Sequence, residues 1–495
     1  MVGYPNQKSK EIYDMKKRLT CMLLAMLLLC SCGGGTAETE TTADTADTTA
    51  VEATEEAETE VPDDLPEADY DGYTFRILCD NEYIRFVHVT ESTGEAINDA
   101  VFDANANVME RFNVKLEQLV HSVWTAGDEV RTLILSGDDA FDLGTIHDCT
   151  AGNLSLEGLF HNLYDVPHLN FEKPWWPAYT TESLTLNGKM YLISNYMTYY
   201  GFWATRTMFF NIDLFNDFGL ESPYTMVKED RWTLDNVISM TKDIYEDTNG
   251  DGARDYGDIY GYAMTVPYCL MENFGFEAYG KSADGKTLQI DVYNDATADF
   301  MDKMCAWLVG DQIGTVYSNK HSGRYNEDSS NTWFANGTVL LTYGAIGHLL
   351  TGLIDTETNY GILPMPKLNE AQDHFIGACC EIPGIIPVSV SDLDRTGVIT
   401  EAMAAEGWKN IVPAYYGMAL RSRYVNDEDS RLMLEILFEN RVLSFSYIYG
   451  GGGSIGFQRS VDNVLTQGGN FASYYEKNLT KEQTLVDKIN EFFGK

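Results

Sequence analysis

The residues after Pro66 predict an α/β fold with mainly parallel sheets, because short apolar strand-like runs alternate with helical segments. The chain has 495 residues, of which 44% are hydrophobic and 12% aromatic. This is enough apolar material for two or three packed domains. A run of acidic residues separates this part from an apolar segment near the amino terminus. The sequence therefore predicts a folded α/β body that follows a polar linker.

The first predicted elements alternate in the order expected of an α/β domain. They are a strand at 73–79, a polar turn at 80–82, a helix at 96–112, a strand at 114–119, a helix at 132–136 and a buried strand at 141–146. Apolar runs of this length between polar turns are typical of strands in parallel sheets. A second α/β segment follows from residue 205, and residues 397–495 have a largely helical pattern.

The charge and the cysteines exclude several classes of function. With 75 acidic and 34 basic residues the formal charge is -41, which argues against nucleic acid as a partner because phosphates need Lys and Arg. It argues equally against docking onto an anionic membrane surface. The sequence has no CxxC pair and no histidine cluster, which excludes a typical zinc site. Cys379 and Cys380 lie in an apolar run, where we expect them to pack as small hydrophobic residues.

The amino-terminal segment has the pattern of an export signal. From Met15 the chain reads Met-Lys-Lys-Arg, followed by an apolar run over 21–30 and then by Ser31 and Cys32. A basic start, a short apolar run and small residues at the cut site predict a signal peptide over 1–31. The alternative is a short transmembrane anchor.

The residues Leu-Cys-Ser-Cys at 29–32 resemble the lipobox of bacterial lipoproteins, in which the chain is cut before a cysteine that receives a lipid. Cys30 departs from the more usual Ala, Ser or Thr. The resemblance implies that Cys32 is lipidated and that the lipid is the chain's only membrane contact, on the extracytoplasmic side. Residues 32–70 are rich in Thr, Ala, Glu and Asp, which predicts a disordered linker between the lipid and the folded part.

Four later motifs resemble, in the same order, family 1 extracellular solute-binding proteins, the sugar-binding lipoproteins of ABC transporters. They are Asn-Ile-Asp-Leu-Phe at 211–215, Arg-Trp-Thr-Leu-Asp at 231–235, Trp-Phe-Ala-Asn-Gly at 333–337 and Tyr-Gly-Ile-Leu-Pro-Met-Pro at 360–366. Within the second motif, Thr233 is the expected N-cap of a helix and Asp235 lies in its first turn.

The resemblance implies a two-lobed, periplasmic-binding-protein-like fold of type II, with lobes joined by hinge crossovers and ligand bound in the cleft. Such sheets bind ligands where loops leave the carboxyl ends of strands. We expect residues 71–200 in the first lobe, 201–330 in the second, and 331–380 back in the first. Residues 381–495 are expected in the second lobe and in hinge-associated helices.

The resemblance also implies a monomeric, non-enzymatic protein that captures a carbohydrate, such as an oligosaccharide, for ABC permease subunits. Polar contacts would come from the turn after the first strand and from the loop after the buried strand, and stacking from aromatic residues near the crossovers. These residues are Asp80, Asn81, Glu82, His147, Asp148, Tyr199, Tyr200, Trp203 and Tyr343. Two alternatives remain open: a surface-anchored polysaccharide hydrolase, which needs only two well-placed carboxylates, and an extracytoplasmic sugar sensor.

Residues 247–258 fit the spacing of an EF-hand calcium loop, with oxygen ligands at alternate positions and a glycine at the sixth. The predicted ligands of a structural Ca²⁺ are Asp247, Asn249, Asp251, the carbonyl group of Ala253, Asp255 and Asp258. Two residues depart from the pattern, since Asp258 stands in place of Glu and Arg254 in a usually apolar position. The alternative is a polar turn that binds no ion.

Overall fold

A computed structural model describes residues 61–122, 126–265, 267, 269–310, 312–317, 330–421, 428–450, 461, 463–465 and 470–495. The predicted signal peptide, Cys32 and most of the predicted linker lie outside these residues. Within the described ranges, no helix is both long enough and apolar enough to cross a membrane. Residues Leu65–Lys495 form one compact unit.

The strands of the described residues are given in chain order. They are β1 (Tyr73–Asp80), β2 (Val114–His121), β3 (Leu143–Thr145), β4 (Arg206–Asn211), β5 (Tyr245–Glu246), β6 (Ile259–Met264), β7 (Tyr279–Lys281), β8 (Leu288–Ile290), β9 (Thr315–Tyr317), β10 (Val339–Ala345), β11 (Tyr360–Leu363), β12 (Gly377–Cys379), β13 (Gly384–Ile385) and β14 (Arg441–Leu443).

The α-helices of the described residues are also numbered in chain order. They are α1 (Ala96–Phe112), α2 (Ala126–Leu135), α3 (Asp148–Ser155), α4 (Ala178–Leu184), α5 (Tyr200–Trp203), α6 (Ile212–Asp217), α7 (Pro223–Lys228), α8 (Leu234–Thr241), α9 (Asp295–Leu308), α10 (Ser330–Ala335), α11 (Leu393–Glu406), α12 (Val412–Arg421), α13 (Glu428–Glu439), α14 (Phe445–Tyr449) and α15 (Phe471–Gly494).

The first sheet has the strand order β13-β3-β1-β2 and forms the core of the first lobe. Strand β1 lies parallel to both β2 and β3, as the alternation of strands and helices predicts. Helix α1 has the predicted bounds, and its buried side chains recur every three or four residues. It ends at Asn113, which adopts the left-handed conformation that Asn tolerates at a helix end.

The second sheet has the order β11-β4-β10-β6-β5, with β9 also paired to β6, and forms the core of the second lobe. This sheet is mixed rather than mainly parallel, because β4 runs antiparallel to both β10 and β11. Every residue of β10 is buried, as expected of a central strand. Helix α8 begins after Thr233 as predicted, although the Thr233 side chain makes no capping hydrogen bond.

The pairing of the strands corrects two predicted lobe boundaries. Strands β10 and β11 belong to the second sheet, so residues 339–363 do not return to the first lobe. The return comes later, where β13 pairs antiparallel with β3. Helix α11 follows it and lies in the first lobe, because its Glu401 accepts hydrogen bonds from the indoles of Trp175 and Trp176. Residues 376–387 form an apolar run without alternation, so periodicity could not reveal which sheet they join.

Candidate functional site

A cavity of about 100 Å³ lies between the two sheets, at the carboxyl ends of strands from both. Strands β1 and β3 end just before residues that line it on one side, and β6 and β10 do so on the other. Strand β4 reaches it through its first residue, because Arg206 pairs with Ala345 at the end of β10. The lining residues are Tyr83, His147, Asp148, Tyr200, Trp203, Arg206, Thr265, Ser330, Asn331, Tyr343, Gly344, Ala345, His348, Cys380, Glu381 and Tyr447. This is the place where sheets of this kind bind ligands.

A charged pair stands where β3 passes into α3. The Nδ1 atom of His147 lies 3.0 Å from the Oδ1 atom of the buried Asp148, which also accepts the backbone N–H of Cys149. Burial alone would lower the pKa of His147, but the charge of Asp148 and their hydrogen bond outweigh it and raise that pKa to about 9. Burial would raise the pKa of Asp148, but His147 holds it below its ordinary value. The cavity therefore carries an imidazolium–carboxylate pair near neutral pH.

The last residue of β1 fixes the position of this pair through a hydrogen bond to its backbone. The fully buried Asp80 accepts the backbone N–H of His147 through Oδ2 at 3.1 Å. Burial raises the pKa of Asp80 to about 6. Asp80 is thus a positioning residue beneath the cavity rather than part of its lining. Strand β1 extends one residue beyond its predicted end, which turns the Asp80 side chain inward.

The aromatic wall of the cavity comes mainly from the two ends of the short helix α5. The ring of Tyr200 stacks against Trp203 at 5.7 Å between centroids, and Tyr83 meets Tyr200 edge-on at 5.3 Å. Trp203 also faces His348 edge-on at 6.5 Å. A side chain at Gly347 would collide with the Trp203 indole, so glycine is what allows this close approach. Offset and edge-on contacts of this kind hold the rings in fixed orientations.

The second lobe adds a hydroxyl and a guanidinium group. Tyr343 lies on β10, and its hydroxyl accepts the side-chain N–H of Asn273 at 3.1 Å. Arg206, at the start of β4, places Nη2 3.3 Å from the sulfur of Cys380. Nearby electron-rich groups, chiefly Cys380 and Tyr343, outweigh burial and raise the pKa of Arg206.

Glu381 supplies a second carboxyl group to the cavity. It is buried, and burial raises its pKa to about 8, although Arg441 and a hydrogen bond from Ser194 act in the opposite direction. A side chain at Gly201 would collide with the Glu381 carboxyl, so this glycine makes room for it. Glu381 is therefore largely protonated at neutral pH, whereas Asp148 is ionised.

Five of the nine predicted ligand residues line the cavity and four do not. The five are His147, Asp148, Tyr200, Trp203 and Tyr343. Asn81 and Glu82 are exposed on the turn after β1. The Tyr199 ring packs against Phe86 and Tyr415 in the core, and Asp80 lies below the cavity.

The sequence analysis missed several lining residues that come from distant segments. Arg206, His348, Cys380, Glu381 and Tyr447 stand alone in apolar surroundings, without a motif to mark them. A buried charged residue in an apolar run is a signal of function in itself. By that criterion the sequence could have singled out Arg206 and Glu381.

The loop predicted to bind calcium folds back on its own backbone. Asp247 accepts the N–H groups of Gly250 and Gly252, and Asp251 accepts that of Ala253. Asp258 accepts the N–H of Thr248 at 3.2 Å and the hydroxyl of Tyr245 at 3.0 Å. The side-chain oxygen atoms of these three residues are thus engaged by N–H groups of the loop and by the Tyr245 hydroxyl.

Two more predicted ligands of this loop contribute in the same way. Asn249 accepts the N–H of Asp251 at 2.9 Å, and the carbonyl group of Ala253 accepts the Tyr245 hydroxyl at 3.2 Å. Partial desolvation and the charges of neighbouring carboxylates raise the pKa of Asp255. The carboxylates of the loop are thus close enough to repel one another.

The ligand atoms of His147, Asp148 and Cys149 lie within 4.8 Å of one another. The His147–Asp148 ion pair explains this proximity, and the Cys149 sulfur points to the carbonyl group of Tyr447 at 3.7 Å. We therefore assign no metal to these three residues.

Comparison with known proteins identifies the fold through structure alone. No protein-family model matches the sequence. No curated protein matches it either. Among solved structures, an ABC substrate-binding protein of Listeria monocytogenes in complex with cycloalternan is similar, with a TM-score of 0.55 and 12% identity, over 86% of this chain and 100% of that chain.

Two further solved structures are similar to a comparable degree. The GacH receptor of Streptomyces glaucescens, solved unliganded and with acarbose, has a TM-score of 0.54 and 13% identity, over 86% of this chain and 99% of its own. The maltose–maltodextrin binding protein of Alicyclobacillus acidocaldarius has a TM-score of 0.52 and 11% identity, over 83% of this chain and 100% of its own. The chain therefore has the two-lobed, periplasmic-binding-protein-like fold found in ABC sugar-binding proteins.

Proposed function

We propose that the chain is the extracytoplasmic, carbohydrate-binding subunit of an ABC importer. The observation that carries the proposal is the cavity at the carboxyl ends of strands from both lobes, whose lining combines aromatic rings with ionised and amide groups. Sugar rings present apolar C–H faces that pack on aromatic rings such as Tyr200 and Trp203. Their hydroxyl groups pair with side chains such as Asp148 and Asn331.

The similar structures support an oligosaccharide as the ligand. Among them are proteins solved with cycloalternan and with acarbose. The cavity of about 100 Å³ is smaller than the roughly 300–1,000 Å³ of typical ligand pockets. Binding an oligosaccharide therefore requires the lobes to move apart and then close on the ligand.

Adjacent tyrosines provide a matched test of this proposal. A thermal-shift screen over mono- and oligosaccharides would first identify a ligand, because a ligand that binds the native state raises the melting temperature. Calorimetry should then show about 2- to 12-fold weaker binding for Tyr200→Ala, from the loss of about 0.5–1.5 kcal/mol of stacking.

Tyr199→Ala is the control, since Tyr199 is equally buried but lies outside the cavity. It should lower the melting temperature and leave the affinity unchanged. A folded Tyr200→Ala variant that binds as tightly as the wild type would contradict the placement of the site.

A second candidate, polysaccharide hydrolysis, is favoured by one observation. The environments of Asp148 and Glu381 push the pKa values of the two carboxyl groups apart, as in an acid–base pair of a glycosidase. Incubation with the ligand and chromatography of the products separates the two functions. We expect the ligand to be recovered intact, and released fragments that disappear in Glu381→Gln would establish the hydrolase instead.

We further propose that Cys32 carries a lipid and that the monomeric chain passes its ligand to permease subunits in the membrane. The supporting feature is the Leu-Cys-Ser-Cys junction at 29–32 after a basic and apolar segment. The acidic linker would then hold the two lobes at a distance from the membrane.

A further inference from the structure

Two cysteine sulfurs meet in the wall of the cavity. The Sγ atoms of Cys269 and Cys380 lie 3.3 Å apart, and both residues are buried, with 2% and 6% of their surface exposed. A disulfide bond is about 2.0 Å long, so the two atoms need to approach each other by little more than one ångström. Cys380 lines the cavity, whereas Cys269 lies behind it.

The backbone around the two sulfurs is already held in register. Asn273 donates to the carbonyl group of Cys269 at 2.7 Å, and its Oδ1 atom accepts the N–H of Ala378 at 3.0 Å. One side chain thus links the turn that carries Cys269 to the strand that leads to Cys380. The sulfur of Cys379 points to the carbonyl group of Val442 at 3.3 Å, as expected because neighbouring residues of a strand face opposite sides.

The surroundings of Cys380 favour its thiolate. Besides the Cys269 thiol, the guanidinium group of Arg206 lies 3.3 Å from the Cys380 sulfur, and the hydroxyl of Tyr447 lies 3.7 Å from it. The hydrogen bond from Cys269, followed by the charge of Arg206, lowers the pKa of Cys380, whereas burial raises that of Cys269. A thiolate is the nucleophilic form of cysteine.

We propose that Cys269 and Cys380 form a reversible disulfide in the wall of the cavity. The proposal goes beyond carbohydrate binding and does not depend on it. It rests on the distance between the two sulfurs, on the linked backbone and on the cationic neighbour of Cys380.

The oxidant would be a small-molecule disulfide or a thiol–disulfide oxidoreductase. The Cys380 thiolate attacks one sulfur of the oxidant, whose disulfide bond breaks and releases one thiolate. Cys269 then loses its proton and attacks the Cys380 sulfur of the mixed disulfide, which releases the second thiolate. The two protein thiols are oxidised to one disulfide, and the oxidant is reduced to two thiols.

Oxidation would change the chemistry of the cavity. The thiolate beside Arg206 would be replaced by a neutral disulfide sulfur, which leaves the guanidinium group without that negative partner. The cavity would therefore carry more positive charge in the oxidised protein than in the reduced protein.

Peptide mapping of the full-length wild-type protein tests the proposal. The folded protein is treated with oxidised glutathione, the remaining thiols are alkylated under denaturing conditions, and the digest is analysed by mass spectrometry without reduction. We expect a crosslinked peptide pair that contains Cys269 and Cys380, with Cys379 alkylated and the crosslink lost after treatment with dithiothreitol.

The adjacent cysteine provides a matched control. Cys379→Ser should retain the crosslink, and Cys380→Ser should abolish it. The proposal is overturned if oxidised, folded wild-type protein carries alkyl groups on both Cys269 and Cys380, or if Cys269 is joined to Cys379. The peptide map of the wild-type protein shows by itself which cysteines are crosslinked. The test therefore remains valid even if a variant fails to fold.

Discussion

The charge state of the cavity depends on two residues next to each other in the chain. The sequence suggests Asp148 as a polar contact for the ligand, and the structure buries it against His147. Removal of its charge would therefore affect the pair as well as a ligand. An isosteric change at this position is more informative than truncation to alanine.

Asp148→Asn should lower the pKa of His147 from about 9 toward its ordinary value, because burial is then opposed only by the weaker charges of Cys380 and Asp80. The same variant should weaken ligand binding about 10- to 100-fold, since a charge-assisted contact contributes roughly 1.5–3 kcal/mol. NMR titration of the imidazole signals follows the first effect, with His147→Gln used for assignment, and calorimetry follows the second.

The sign of the pH dependence follows from the same pair. A histidine with a raised folded-state pKa stabilises the fold fully below its unfolded value of about 6.5, and this stabilisation is lost as the pH rises through about 9. An unchanged His147 titration in Asp148→Asn would refute the pairing.

Glu381 should make the protein less stable as the pH rises from about 4.5 to about 8. Its carboxyl group is neutral in the folded chain over this range but ionised in the unfolded chain, so the folded state binds more protons. Glu381→Gln should remove this loss, so that its melting temperature relative to the wild type rises between pH 5 and pH 9. At about 1.4 kcal/mol per pKa unit, the expected gain is on the order of a few kcal/mol.

Thermal unfolding of both proteins at several pH values measures the effect. Glu172→Gln is the control for the removal of an acidic side chain, since Glu172 is exposed. A constant difference for Glu381→Gln would show that Glu381 is ionised in the folded protein.

At the scale of an element, the loop between β5 and β6 can be tested for the binding of a divalent cation. Its carboxylates accept backbone N–H groups of the loop itself, and none of the six predicted ligands is positively charged. A bound divalent cation would neutralise them and link the two strands more firmly.

EDTA should therefore lower the melting temperature of protein loaded with calcium, because an ion that binds only the native state stabilises it. Asp251→Ala should abolish this sensitivity to EDTA. Asp299→Ala, which changes an exposed acidic residue outside the loop, should retain it. No response of the loaded wild-type protein to EDTA would refute a stabilising ion.

At the scale of the whole molecule, the proposed function requires the two lobes to be held at the membrane. Cys32→Ala should release the chain from the membrane or block its processing, whereas Cys30→Ala should remain anchored. Partition between detergent and aqueous phases measures the attachment. Retention of Cys32→Ala in the detergent phase, to the same extent as the wild type, would rule out the lipid anchor.

The local periodicity of hydrophobic residues was sufficient to predict several of the helices and strands. Helix α1 has the predicted bounds because its buried face and its Asn113 cap both depend on residues within or next to the helix. The resemblance of short motifs placed the crossover aromatic residues, and Tyr200 and Trp203 do line the cavity. Five of the nine residues predicted to bind the ligand line the cavity, and each of them follows a predicted strand or lies at a crossover.

The sequence by itself predicted the first strands and helix α1, because such elements depend on neighbouring residues, and the resemblance of its motifs implied the two-lobed fold. Only the tertiary structure decided that β10 and β11 join the second sheet and that β13 returns the chain to the first. It alone brought Arg206, Cys269 and Cys380 together across a separation of 111 residues between the cysteines. Strand partners and side-chain neighbours at such separations depend on how whole elements pack, and local patterns of hydrophobicity do not encode that packing.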